Sequence, residues 1–166
     1  ELIIVDSNSS DNCIKILKDE LKNYQGKLII DSIKCNISRG RNLGIRKAKN
    51  DLIAITDFGV KLSTHWLKEI YTTLQSYDVC AGSYVLTGEN EIQKSYNELF
   101  QRKLSEIDEK KFAPSSRSFG INKSNLKAIG YYDENLKVAE DTEFVNRIRS
   151  GGFKIKLNEN ALVFWD

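Results

Sequence analysis

Methionine is absent from the 166 residues, proline and histidine occur once each, and cysteine three times. One histidine cannot build a multi-histidine metal cage. Three widely spaced thiols, Cys13, Cys35 and Cys80, make neither a disulfide framework nor a zinc pattern, and they read as buried or half-buried thiols of a reducing compartment. No apolar run approaches the roughly 20 residues that cross a bilayer, and no signal-peptide pattern opens the chain. A soluble protein is implied, cytoplasmic or peripheral to a membrane, with no membrane span in this chain. Charge of one sign is also lacking: 25 basic against 23 acidic residues leave +2, which gives no broad field for drawing in polyanions. Nucleic acid is therefore not an expected partner.

The chain does have the length of one domain, enough to bury roughly two thirds of its unfolded surface. Short apolar runs alternate with segments of helical period. LIIV at 2–5 precedes a helix predicted over Ser10 to Asn23, and KLII at 27–30 precedes one over Gly40 to Lys49. DLIAIT at 51–56 precedes a helix from about His65 to Ser76. This rhythm predicts a doubly wound sheet whose strands at 2–5, 28–30 and 52–55 run parallel in one sheet, with Asp6 and Asp57 at the same edge. Further on, the pattern predicts a strand at 79–85, a helix around 92–104 and a strand at 119–121. A short helix to 129, a helix from Glu140 to Ser150, and strands at 153–157 and 161–165 complete the prediction.

Four clusters have polar chemistry at such strand ends. Asp6 to Asp11, DSNSSD, is explained plainly as a turn and helix cap, and alternatively as an acceptor for a base or ribose. Arg39-Gly40-Arg41-Asn42 opens a basic helix. A solvated face accounts for it, while a guanidinium fork beside helix-start N–H groups would suit a diphosphate. No aromatic residues interleave with these basic ones, which argues against nucleic-acid binding. Asp57-Phe58-Gly59 follows an apolar strand, but protein kinases, which share these letters, also need a glycine-rich phosphate loop and a His-Arg-Asp loop that are missing here. Glu140-Asp141 starts EDTEFVNRI, where acids favour the positive end of a helix and where a carboxylate could also serve as a base for a hydroxyl.

The order and spacing of these segments resemble family-2 glycosyltransferases along nearly the whole chain. ELIIVDSNSSD is similar to the family's second strand and acidic turn, and NISRGRNLGIRKAKNDLIAITDFG to its basic helix and metal-site strand, with KLSTHWL following. PSSRSFGINKSNLKAIGYYDENL and AEDTEFVNRIRSGGFKI resemble its acceptor-side strand, its Gly-aromatic-Asp-Glu turn and its Glu-Asp helix. The resemblance implies a GT-A type three-layer α/β/α sandwich with a mainly parallel doubly wound sheet. It also implies a single domain over 1–166, truncated so that the family's first strand and C-terminal segment are missing.

By the same resemblance Asp57 holds a divalent cation, manganese or magnesium, together with the sugar nucleotide. Asp141 is the general base and Glu140 its acidic neighbour. Asp6, Arg39, Arg41 and Arg117 bind the nucleotide sugar, with Arg117 near the sugar or acceptor. The implied reaction is inverting transfer of a sugar from a nucleoside-diphosphate sugar to a hydroxyl of a glycan, lipid-linked or protein acceptor. Gly59 stands where a second metal-binding acid is usual, leaving one carboxylate for a cation that prefers several oxygens. Ser7 stands where a base-recognising Asp is frequent, so no uridine nucleotide is implied. Two rivals remain: a non-catalytic nucleotide-binding or interaction module with a degenerate GT-A fold, and a nucleotidyl transferase, which would want a glycine-rich phosphate loop near its first strand.

Overall fold

The chain begins with β1 (Leu2–Asp6), α1 (Cys13–Glu20), β2 (Leu28–Ser32) and α2 (Ile37–Lys47), and continues through β3 (Leu52–Ile55), β4 (Val60–Leu62), α3 (Trp66–Leu74) and β5 (Val79–Leu86). It ends with α4 (Glu91–Phe100), β6 (Phe119–Asn122), α5 (Lys123–Ile129), α6 (Glu140–Ser150) and β7 (Ile155–Trp165). The structure is a computed structural model that describes residues 1–88, 90–100, 107–108 and 112–165. Positions 101–104 of the helix predicted around 92–104 lie outside the described residues. No helix among the described residues is long and apolar enough to cross a membrane.

Side-chain alternation along the strands builds the layers. Ile53 and Ile55 of β3, Val79 of β5, and Phe119 and Ile121 of β6 form one cluster with Ile45 of α2, Leu126 of α5, and Phe144 and Ile148 of α6. The intervening residues Leu52, Ala54 and Cys80 join Ala161 and Val163 of β7 against Trp66, Ile70 and Leu74 of α3. A period of two thus delivers alternate residues to helices on opposite faces, giving the three-layer α/β/α arrangement. Each fully buried side chain such as Ile121, Leu126 or Ile148 contributes roughly 1.5–3 kcal/mol. That exceeds helix propensity differences of about 0.7 kcal/mol or less per ordinary residue, so packing sets which helices persist. The first helix is shorter than its pattern: α1 buries no residue, and it spans Cys13–Glu20 where the sequence predicted Ser10 to Asn23.

Strand pairing differs from the expected single parallel sheet. β1 and β2 form a parallel pair of their own, with Leu2 opposite Leu28 and Asp6 opposite Ser32. β3 lies at one end of a five-stranded sheet ordered β3-β6-β5-β7-β4, paired antiparallel with β6. β5 and β7 are parallel, while β5–β6 and β4–β7 are antiparallel, so strand directions are mixed. Apolar runs report that strand faces are buried; they carry no record of which neighbour satisfies the backbone N–H and C=O groups.

The shared edge does hold. The C-terminal end of α2 meets the start of β1, where Glu1 Oε1 accepts from the backbone N–H groups of Lys49 and Asn50. Near its other end Gly40 lies against Val5, and Arg41 reaches Asp57. Asp6 and Asp57 therefore finish their strands on the same side. α2 itself begins three residues before the predicted Gly40, because Asn36 caps it by accepting from Arg39 N at 2.9 Å.

β7 is one long strand where two short ones were predicted. Its pairing with β5 slips between Gly82 and Ser83, from Gly82 opposite Asn158 to Ser83 opposite Leu162. The three-residue β4, too short for a periodic signal, pairs with β7. At the slip, Ser118 Oγ donates to Ala161 O at 2.6 Å and accepts from Trp66 Nε1 at 2.9 Å. A Cβ on Gly82 would overlap both Ser118 Oγ and Ala161 O. Gly82→Ala should lower unfolding stability by about 1–3 kcal/mol, as overpacking does, measured by urea denaturation; a loss under 0.5 kcal/mol would show that this junction yields.

Candidate functional site

Arg41 stands on the second turn of α2 with its side chain 7% exposed, surrounded by three carboxylates. Its Nη2 donates to both oxygens of Asp57, each at 2.9 Å. Its Nη1 donates to Glu140 at 2.8 Å and to Asp141 at 3.1 Å. Beneath the guanidinium lies the Tyr132 ring, 5.4 Å from ring centroid to Cζ. Burial works against the arginine's charge, but Asp57 and Asp141 outweigh it and hold the group above its ordinary value. The Nε is buried without a hydrogen-bond partner among the described residues, so the charge is satisfied there through the two Nη atoms.

Asp141 has a second set of partners. The Ser116 hydroxyl donates to Oδ1 at 2.5 Å and the Ser116 N–H to Oδ2 at 3.1 Å. Oδ2 has no other described donor, and the side chain is 25% exposed. α6 supplies this geometry through its entry: Ala139 at its start is left-handed, with φ 61°, and offers no capping side chain. Glu140 and Asp141 are turned to Arg41 rather than back onto free N–H groups, so helix capping does not account for them. Backbone strain of this kind, about 1–3 kcal/mol, is characteristic of functional sites.

Asn42, 1% exposed, fixes the neighbouring turn. Its amide donates to Tyr132 O at 2.8 Å and Glu134 Oε1 at 2.9 Å, and its Oδ1 accepts from Tyr132 N at 3.0 Å. The Asn42 amide, with help from Arg46, holds the Glu134 carboxyl below the usual range. Tyr132 packs on Phe144 and shares a 2.7 Å hydrogen bond with Ser116, while burial pushes its phenol up. Sequence reasoning did not single out Asn42, Ser116 or Tyr132. All three lie inside segments it quoted, and no local pattern set them apart from their neighbours.

The structure thus brings together Arg41, Asp57, Glu140 and Asp141. Arg117 lies at the rim, its Cζ 3.7 Å from the Trp165 ring centroid, and its backbone O accepts from Thr56 Oγ1 at 2.9 Å. Arg39 is exposed and stays outside the cluster. Asp6, 5% exposed, is engaged internally by the Ser9 N–H and hydroxyl and by the Ser32 hydroxyl at 2.7 Å.

The donor set does not fit a resident divalent cation. Asp57 has both oxygens on Arg41, and Gly59, at φ 84°, supplies no acid. Among the described residues no three His, Cys, Asp or Glu side chains gather in a way that could hold a metal ion.

An α/β sandwich with an acidic strand end facing an acidic helix start is the GT-A glycosyltransferase fold, and solved structures agree. S. aureus TarS 1-349 in complex with UDP superposes with TM-score 0.72 at 17% identity, covering 99% of this chain and 50% of that chain. Its complex with UDP-GlcNAc gives 0.72 and 17%, covering 99% and 48%. A further S. aureus TarS structure gives 0.70 and 18%, covering 99% and 30%. This chain therefore spans about half the length of the TarS 1-349 structures. The model of glycosyl transferase family 2 matches residues 1–133, and the chain belongs to that family. No curated protein matches it.

The hydroxyls of Ser9 and Ser32 hold the Asp6 carboxyl below its usual value. Such a group stabilises the fold above its unfolded pKa near 4 and ceases to do so as pH falls through its lower folded value. Ser32→Ala should therefore be less stable than the unaltered chain at pH 7, and the gap in urea unfolding should narrow below about pH 4. A gap that widens with acid would mean that Asp6 is not held this way.

Proposed function

We propose that this chain transfers a sugar from a nucleoside-diphosphate sugar to an acceptor hydroxyl with inversion, in a single displacement. The observation that carries the reading is the Asp141 carboxylate, oriented by Ser116 and Arg41 and partly exposed, joined through Arg41 to Asp57 in the loop after β3. The acceptor O–H bond breaks as its proton passes to Asp141. The acceptor oxygen bonds to the anomeric carbon while the carbon–oxygen bond to the diphosphate breaks, and that electron pair leaves with the nucleoside diphosphate. Family membership supports the donor class. The UDP and UDP-GlcNAc complexes of TarS, at 17% identity, make uridine nucleotides the first donors to test.

In this reading Arg41 sets the distance between the phosphate-side acid Asp57 and the base Asp141, and Glu140 anchors Arg41 from the helix. Arg117 faces the donor, Arg39 and Asp6 belong to the nucleotide side, and the acceptor is a glycan, a lipid-linked sugar or a protein hydroxyl. A second reading, nucleotide binding without transfer, is favoured by one observation: Gly59 removes the acid that would complete a cation site.

Asp141→Asn should cut transfer by about 10²- to 10⁴-fold, the worth of a positioned general base, with nucleotide affinity within about threefold of the unaltered protein. Glu140→Gln, which keeps an oxygen for Arg41, should cost less than tenfold. Transfer measured with a panel of sugar nucleotides checks both, and normal turnover by Asp141→Asn rejects the assigned base. Calorimetric titration of manganese into the nucleotide-free protein should give no site tighter than about millimolar, since one engaged carboxylate is a poor ligand set for a hard cation. Micromolar binding abolished by Asp57→Ala would contradict the donor-set argument.

A further inference from the structure

The two arginines at this edge are in opposite electrostatic states. Arg41 faces three carboxylates, so the cluster as a whole keeps two negative charges in excess and repels an approaching diphosphate. Arg117 has no carboxylate partner among the described residues. Its guanidinium lies 3.7 Å from the Trp165 ring centroid and 5.9 Å from that of Tyr84, and the two rings meet edge to face at 6.1 Å. Its one hydrogen bond from the guanidinium runs from Nη1 to Ser115 Oγ at 3.1 Å, which leaves four of the fork's five N–H groups unengaged by described residues.

A stacked guanidinium is held in one plane without losing its charge to a counter-ion, so little side-chain freedom remains to be lost when an anion binds. The location is fixed as well. The Arg117 carbonyl is tied to Thr56, the residue before Asp57, and Trp165 pairs with Val60, just past Gly59. The unpaired cation therefore overlooks the Asp57-Phe58-Gly59 loop, where the donor set does not fit a divalent ion.

Resting on the sugar-transfer reading, we propose that Arg117, laid on Trp165 beside Tyr84, receives the donor's phosphate oxygens and stabilises the departing nucleoside diphosphate. Trp165 acts as a positioning residue. As the bond to the anomeric carbon breaks, negative charge accumulates on the leaving phosphate oxygen, and a guanidinium can meet two oxygens with parallel N–H donors. Arg41 then has no direct part in binding phosphate; it orders the acids.

The test is calorimetry on the intact protein with the four common nucleoside diphosphates and the matching nucleosides, in chelator and again with manganese. Arg117→Ala should weaken the bound diphosphate by roughly 10- to 100-fold, the worth of a charge-assisted hydrogen bond, and leave nucleoside affinity unchanged. Arg117→Lys should recover part of the loss, and Trp165→Leu should weaken the diphosphate several-fold while the nucleoside is unaffected. Arg117→Ala within twofold of the unaltered protein overturns the proposal alone, as does an equal loss for nucleoside and diphosphate. Failure of the unaltered protein to bind any of the four diphosphates, with or without manganese, overturns both the proposal and the reading beneath it.

Discussion

Three carboxylates, one from the loop after β3 and two from α6, can share one small volume because a single guanidinium stands between them. Arg41 bonds Asp57, Glu140 and Asp141 through two nitrogen atoms, and so joins the end of a strand, the second turn of one helix and the first turn of another. Buried ion pairs of this kind contribute little net stability over an apolar replacement, but losing one partner strands the others. Their value here lies in geometry. The acids are held at a spacing that mutual repulsion would otherwise open.

Around that knot the supports are neutral and directional. Asn42, next in sequence to Arg41, bonds the turn at Tyr132 and Glu134, and Tyr132 passes its hydroxyl to Ser116, which orients Asp141. The links run from α2 to the turn before α6, from that turn to Ser116 ahead of β6, and from Ser116 to Asp141 in α6. A buried asparagine satisfied by backbone partners fixes such a turn in one arrangement, because any other leaves polar groups unpaired in a low dielectric.

Much of this was legible in the sequence, and the remainder was hidden for identifiable reasons. The α6 range and the shared edge of Asp6 and Asp57 followed from first-turn acids and apolar runs, which act locally. The separation of β1–β2 from the larger sheet did not, since ladder pairing is decided by partners distant in sequence. The sequence presents Arg41 as a cation for phosphate, and the structure shows it bonded to Asp57, Glu140 and Asp141. Its satisfaction by three acids could be seen only once α6 was folded against α2. Asp6 shows the reverse case: an acid at a strand end that looks available is engaged by Ser9 and Ser32.

Ser116 and Arg117 are neighbours in the chain, yet Ser116 holds Asp141 while Arg117 leans outward onto Trp165. Their Cα atoms lie only about 3.8 Å apart across one planar peptide. The loop consequently has no freedom to adjust one side of the site alone. In evolutionary terms, a substitution at Ser116 that shifts Asp141 is coupled to the placement of Arg117, and diversification of this short segment must proceed by paired changes or be displaced to the outer loops.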